Sequence, residues 1–356
     1  MRWLMITQKL APDDDFLGFM MRWVEKLAAR LDHLDVICQE QRTTDLPPNV
    51  RAFSLGKERG AGRAAQALAL TRYLRALVPQ ADGVFCHMIA RYVLFAAPWA
   101  RLHRKPLVLW YVHMQVSAEL RLATALASHV LTAAPGSFPL STPKLRVMGH
   151  GIDTADFPTP QPEASPPEIV MLGRLARIKR QDWLLRAASM VAATPGAGPF
   201  RVRLIGGAVE HEPDVPARLR ALAESLDPPP PVEFVGPLPH REALAALARC
   251  ALAVNLTPPG AFDKSALEPM FAGKPTIVTT PDFLPLLGDH ADRLYLPDDA
   301  SDAALAERLA ALLALTPDER AAIGAELRER AQAAHSLDGL MDRIVALMRE
   351  AAVSHA

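Results

Sequence analysis

Long apolar runs are missing from this chain of 356 residues. The longest, such as Val93 to Ala100, fall far short of the ~20 residues that span a bilayer, so no transmembrane helix is expected. Cysteine is scarce: Cys38, Cys86 and Cys250 are widely spaced, and two of them sit in apolar strand-like runs. That spacing supports neither a disulfide framework nor a zinc site, and buried thiols are expected. The N-terminus, MRWLMITQKLAPDDD, meets charge and proline too soon to hold the apolar core of a signal peptide, so a cytoplasmic location is expected. No Ser-His-Asp order, HExxH or P-loop occurs. Excess charge is missing too, since 39 Lys and Arg balance 39 Asp and Glu. A nucleic-acid partner is not expected.

What is present describes a folded protein of two domains. Apolar residues make up 50% and charged residues 22%, close to globular averages. At ~100–200 residues per domain the length suits two cores. The zero net charge hides an asymmetry: residues 1–150 hold 19 basic and 11 acidic side chains, leaving 20 and 28 beyond, or +8 and −8. A basic first half can sit near anionic lipid or an acidic ligand, so peripheral contact with the inner membrane face is an expectation, with ordinary drift as the alternative.

Short β-rich runs alternate with helical patterns throughout, the sign of parallel sheets covered by helices. The first half has runs at 3–6, 34–38, 50–55, 83–88, 106–112 and 129–134. Its clearest helix places Leu17, Met20, Met21, Val24, Leu27, Ala28 and Leu31 at helical spacing, with Asp15 set to cap it. Leu70, Leu74, Leu77 and Val78 mark another. A proline-rich stretch, 154–167, reads as a linker, since proline continues neither a helix nor a central strand. The alternation restarts with runs at 168–173, 201–207, 232–236, 251–256, 275–280 and 293–296, separated by helical segments such as 182–193 and 240–250. A last amphipathic helix from Leu337 carries Leu340, Ile344, Leu347 and Met348 on one face. The expected organisation is a domain of 1–153, joined by 337–356, a linker of 154–167 and a domain of 168–336. In open parallel sheets ligands bind at the carboxyl ends of strands, so function is sought on the loops after strands and in a cleft between the two domains.

Two segments there carry chemistry. GRLARIKRQDWLLRAA (173–188) follows a strand and opens a helix, placing Arg174 and Lys179 where a planar fork, a point charge and a helix dipole can together hold a diphosphate. Basic residues at a helix start are also what ordinary solvated surface looks like. NLTPPGAFDKSALEPMFAGKPTIVTT (255–280) follows another strand. Gly260 allows a tight turn, amides of Ala261, Phe262, Asp263, Lys264 and Ser265 project from the loop, and Glu268 on the next helix can accept both hydroxyls of a ribose. Its neighbours Leu267, Met270 and Phe271 place Glu268 in a partly enclosed position, although an exposed helix residue is the alternative.

Together these segments resemble the donor half of glycosyltransferase family 4, which has the GT-B fold of two facing Rossmann-like domains. The family pattern is Gly-Arg-Leu with a lysine five residues after the arginine, then a helix reading Leu-Glu-Ala-Met-Ala-x-Gly-x-Pro. Here the two are GRLARIK and LEPMFAGKP, with the match running across 168–280. The resemblance implies that Arg174 and Lys179 bind the donor diphosphate and stabilise the departing nucleotide, and that Glu268 binds the ribose. It also makes Gly206, Gly207 and the turn FVGPLPH (234–240) base-binding elements, with Val235 and Leu238 flanking the base. One departure stands out: the family commonly has a glutamate eight residues before the ribose-binding one, touching the transferred sugar, and this chain has Gly260. The loop resembles a sub-group with Phe-Asp-Lys, in which amides near Phe262 and Asp263 take over.

In the first half the resemblance places His113, at a strand end, near the reacting sugar, where it can hydrogen-bond a hydroxyl or support a positively charged transition state. Gly18 takes the place of the family's glycine-rich N-terminal loop, letting backbone approach sugar or acceptor. His87 and Met88, at another strand end, are expected to touch the acceptor. MGHGID (148–153) resembles the family's interdomain turn, with Gly151 as the hinge. Asp13, Asp14 and Asp15 formally make an Asp-x-Asp pattern, but capping and helix-dipole stabilisation explain them better than metal binding.

The resemblance implies a retaining, metal-independent glycosyltransferase of hexosyltransferase type, needing no cofactor. It would move a sugar from a nucleoside diphosphate sugar, UDP favoured by family habit, to a hydroxyl of a saccharide or lipid-linked acceptor in envelope polysaccharide or glycolipid synthesis. The alternatives are a non-catalytic nucleotide-sugar-binding protein, and a nucleotide-sugar epimerase or hydrolase on the same fold.

Overall fold

A computed structural model describes residues 1–12, 14, 18–159, 161–260 and 262–355. The chain divides into two compact units, Met1–Gly151 with Leu337–Ala356, and Ile152–Ser336.

In chain order the first unit contains β1 (Arg2–Leu10), α1 (Phe19–Ala28), β2 (His33–Gln41), β3 (Val50–Ser54), α2 (Arg63–Leu77), β4 (Gly83–His87), α3 (Ala90–Leu102), β5 (Leu107–Trp110), α4 (Ala118–Leu126), β6 (His129–Thr132) and β7 (Leu145–Val147). The second contains β8 (Glu168–Leu172), α5 (Gln181–Ala193), β9 (Arg201–Ile205), α6 (Val215–Ser225), β10 (Val232–Gly236), α7 (His240–Arg249), β11 (Leu252–Asn255), α8 (Lys264–Phe271), β12 (Thr276–Val278), α9 (Leu284–Leu287), α10 (Ala291–Leu294), α11 (Asp302–Leu313) and α12 (Pro317–His335). The last helix, α13 (Leu337–His355), returns to the first unit.

Both sheets are parallel, ordered β3-β2-β1-β4-β5-β6-β7 and β10-β9-β8-β11-β12. A parallel strand buried on both sides needs apolar residues at every position, and β1 shows it. Trp3 and Met5 enter the core beneath α1 and α13, whereas Leu4 and Ile6 enter the core beneath α2, α3 and α4. Leu340, Ile344, Leu347 and Met348 are buried against α1, and Lys26 and Arg30 pair with Asp338 at 2.8 and 3.0 Å. All three cysteines are free and buried; burial pushes the Cys38 and Cys250 thiols up to about 12.

Several expectations are corrected. Helix α1 starts at Phe19 with Gly18 at its N-cap and no side-chain cap; Asp13, Asp15 and Leu17 lie outside the described residues. Asp14 pairs with Lys9 at 2.6 Å, and Leu31 is buried beyond the helix end. The run 293–296 is not a strand. The Tyr295 amide bonds back to Ala291 O at 2.8 Å, closing a helical turn, so a single bridge from Tyr295 to Val278 precedes Pro297.

The proline-rich stretch belongs to the second unit rather than spanning free between the two. Phe157 packs on Phe271 with ring centroids 5.5 Å apart, Glu163 pairs with buried Arg320, and the Ala164 amide donates to Arg249 O at 2.9 Å. The unit boundary falls after Gly151, whose missing side chain makes room for Leu337 and Leu340. Just beyond it, Ile152 bridges Ser336, so the outgoing and returning chains run side by side.

Candidate functional site

In the second sheet the strand order reverses between β8 and β11. Loops leaving the carboxyl ends of two such strands diverge and leave a crevice, the general ligand position of doubly wound folds. The segment carrying Arg174 and Lys179 follows β8; the segment Gly260–Ser265 follows β11.

The loops after β8, β9 and β10 are stitched together by backbone. Gly173 N donates to Ile205 O at 2.9 Å, Gly206 N to Gly236 O at 2.9 Å, and Leu175 N to Gly207 O at 2.8 Å. Gly206 adopts φ +151°, and a Cβ there would stand 1.9 Å from Gly173 O. Glycine at 206 is therefore fixed by the crossing of the two loops. Val235 and Leu238 are half-buried against the core around Val170, Ile205 and Leu244.

Across the crevice the Lys179 ammonium pairs with the Asp263 carboxylate and donates to Thr257 Oγ1 at 3.3 Å. Asp263 is saturated. Its Oδ2 also accepts from Asn255 Nδ2 and Thr257 Oγ1, both at 3.1 Å, and its Oδ1 caps α8 by accepting the Ser265 amide at 3.1 Å. Burial works to raise this carboxyl, but the Lys179 charge, with the hydrogen bonds from Asn255 and Ser265, holds it down at about 2. Buried Asn255 donates in turn to Ser265 Oγ at 2.9 Å. Asn255 and Thr257 complete this network, yet in the sequence Asn255 reads as part of a strand end and Thr257 as the start of the loop after it. Asp263, expected to contact the donor, thus acts first as the partner that positions Lys179.

Arg174 is exposed, and its carbonyl is fixed by buried Gln181, whose Nε2 donates at 2.9 Å. Gly260 has φ +95° with open space around its Cα, so the turn requires glycine although nothing crowds it. Ala261 lies outside the described residues. Phe262 is buried, stacked on Phe283 at 4.3 Å and tilted on His335 at 5.1 Å, which anchors the loop to the core. Lys264 is exposed on the first turn of α8. Glu268, with a side chain 14% exposed, meets His240 Nε2 at 3.1 Å from Oε1. The partly enclosed carboxylate was legible in the sequence; its histidine partner, 28 residues earlier, was not.

In the first unit His113 is exposed on the loop after β5, edge-on to Tyr111 at 5.9 Å. His87 does not take the expected place at the acceptor. It is 3% exposed beneath Trp23 and Phe19, with ring centroids at 5.1 and 6.4 Å, and its Nδ1 lies 3.5 Å from Thr7 Oγ1. The period-two pattern that buries β4 on both faces carries this strand-end residue inward. Gly18 also has a local reason: a Cβ there would lie 2.7 and 2.8 Å from the carbonyl oxygens of Asp14 and Pro12, so the segment's own fold-back excludes a side chain. Among the described residues no group of His, Cys, Asp or Glu is arranged to hold a metal ion, and no helix is long and apolar enough to cross a membrane.

Residues 166–315 match the family model described as glycosyl transferases group 1. A comparison with curated proteins finds no match. Among solved structures, sucrose-phosphate synthase from Thermosynechococcus elongatus aligns with TM-score 0.70 and 17% identity, over 99% of both chains. A glycosyltransferase from Rickettsia africae aligns with TM-score 0.73 and 12% identity over 98% of both chains. HepE from Anabaena, in complex with UDP, aligns with TM-score 0.71 and 16% identity, over 98% of this chain and 100% of that one. The second unit carries a glycosyl transferases group 1 domain, and the chain has the GT-B fold.

Proposed function

We propose that this chain, a glycosyltransferase by its group 1 domain, moves a sugar with retention, and without a metal, from a nucleoside diphosphate sugar to a hydroxyl of a saccharide or glycolipid. UDP is favoured as the carrier, and envelope polysaccharide or glycolipid synthesis as the setting. The observation that carries the reading is the convergence of Lys179, Asp263 and Ser265 at the switch point of the second sheet, inside the matched domain. Similar folds solved with UDP and with UDP-glucose, and one described as a lipopolysaccharide outer core galactosyltransferase, support the donor and acceptor classes.

In this reading the diphosphate takes up the Lys179 ammonium that Asp263 holds ready, and Arg174 meets it from the exposed side of the loop. Preorganised positive charge stabilises the leaving diphosphate as its bond to the sugar C1 breaks. A diphosphate oxygen accepts the proton of the incoming hydroxyl on the same face, and the hydroxyl oxygen bonds to C1. No carboxylate nucleophile is needed, so Gly260 is compatible with turnover. Glu268 holds the ribose hydroxyls, and His113 contacts the transferred sugar.

The test is incubation of UDP-sugars with and without saccharide acceptors, followed by NMR of the product anomeric proton. Acceptor-dependent release of UDP with retained configuration supports the reading. Donor consumption without acceptor points to a hydrolase or epimerase, and binding without consumption to a non-catalytic protein.

A further inference from the structure

Helices α2, α3 and α4 lie on one face of the first sheet. Each leads from one strand to the next in a single direction along the sheet, and right-handed crossovers in one direction stay on one side. Their inward residues, among them Leu74, Val93, Ala97 and Leu120, share one core.

The outward surface of this layer is chemically one-sided. From Arg63 to Leu126 the chain carries eight Lys and Arg against two acidic residues. Both acids are engaged, Glu119 with Arg91 at 2.7 Å and Asp82 with the Arg2 amide at 2.8 Å. Among the described residues no carboxylate pairs with Arg72 or Arg75 of α2, with Arg101, Arg104 or Lys105 at the end of α3, or with Arg121 of α4. In the second unit, by contrast, Arg177, Arg186 and Arg320 are each matched by a carboxylate. Beside the unpaired cations stand three exposed leucines, Leu68, Leu102 and Leu122, at 73%, 68% and 52% exposure. Unpaired guanidiniums interleaved with exposed leucines suit the headgroup boundary of an anionic bilayer, where the cations meet phosphates and the leucines enter the acyl edge.

We infer that the α2–α3–α4 face docks this protein reversibly on an anionic lipid surface. Nucleic acid fits this face less well, because single strands stack on aromatic platforms, and the exposed large apolar residues of this face are leucines. The inference is independent of the donor site, whose residues lie in the other unit.

The experiment sediments the full chain with vesicles of phosphatidylcholine, alone or with roughly a third phosphatidylglycerol to set an anionic surface potential. The protein is expected to partition onto the anionic vesicles only, and to leave them at high salt. The triple variant Arg72→Glu, Arg75→Glu, Arg101→Glu should lower partitioning about tenfold or more, since each basic residue near such a surface contributes roughly a fivefold gain. Leu68→Ser with Leu102→Ser should lower it further in anionic vesicles while the unfolding temperature and any nucleotide-induced stabilisation stay as in the wild type. Equal partitioning onto neutral vesicles, no response to charge reversal, or full competition by duplex DNA with no effect of the leucine changes would overturn the inference. Loss of nucleotide binding with vesicle binding intact would count against the donor reading alone.

Discussion

Lys179 and Asp263, 84 residues apart in the chain, form an ion pair at the carboxyl ends of β8 and β11. The pair joins the two sequence segments that carry the glycosyltransferase pattern. Asp263 also caps α8, so one carboxylate fixes both the cation and the helix on which Glu268 stands.

The pair has a pH signature. The folded Asp263 carboxyl lies at about 2, below its ordinary 3.8, so its stabilisation is present above the ordinary value and is lost as pH falls from about 5 towards 2. The shift corresponds to about 2 kcal/mol. Urea unfolding at pH 6 and pH 3 should show the wild type losing about 1 kcal/mol more than Asp263→Asn, roughly half of the full effect, because the folded carboxyl is still ionised at pH 3. Parallel losses in the two proteins would mean that the pair adds nothing to stability.

Glu268→Ala should weaken nucleoside diphosphate affinity about tenfold, the scale of one charge-assisted hydrogen-bonded contact, with little change in unfolding temperature. His240→Ala, which removes only the partner at 3.1 Å, should have a smaller effect. Unchanged affinity in Glu268→Ala, measured by titration calorimetry, would place the ribose elsewhere.

The two loop glycines should respond differently. Gly206→Ala sets a Cβ 1.9 Å from Gly173 O and must displace backbone, costing about 3 kcal/mol or more. Gly260→Ala meets no atom within 4 Å, and only its φ of +95° opposes it, at about 1 kcal/mol. Denaturant unfolding of the two variants gives the comparison; equal losses would contradict the close approach.

The two histidines should separate in the same way. His87→Ala empties a buried site beneath Trp23 and should cost about 3 kcal/mol of stability, with acceptor affinity unaffected once the protein is folded. His113 is exposed, so His113→Ala should leave stability within about 0.5 kcal/mol and lower turnover more than donor affinity. The opposite pattern would exchange their roles.

Much of the fold was legible because parallel strands buried on both faces stand out as apolar runs, as WLMI and LDVIC do in β1 and β2. β7 was not, since Arg146 and Val147 are exposed and the run is short. α12 was not, because its alanine-rich, highly charged sequence buries only scattered positions such as Ile323, Leu327 and Ala331. The segments holding Arg174, Lys179 and Glu268 were legible from their spacing around strand ends. The network behind them was not: that Asn255 and Thr257 turn towards Asp263, or that His240 reaches Glu268, depends on which loops meet across the sheet. His87 shows the converse, a strand-end histidine that tertiary packing draws into the core.

The donor site is tested most directly by titration calorimetry of UDP and GDP into the wild type and Lys179→Ala. The account predicts that one of these nucleotides, UDP by preference, binds the wild type, and that the variant binds it at least about tenfold more weakly, the loss of one charge-assisted phosphate contact. Equal affinity in wild type and variant, or no binding of either nucleotide at millimolar concentration, would contradict it.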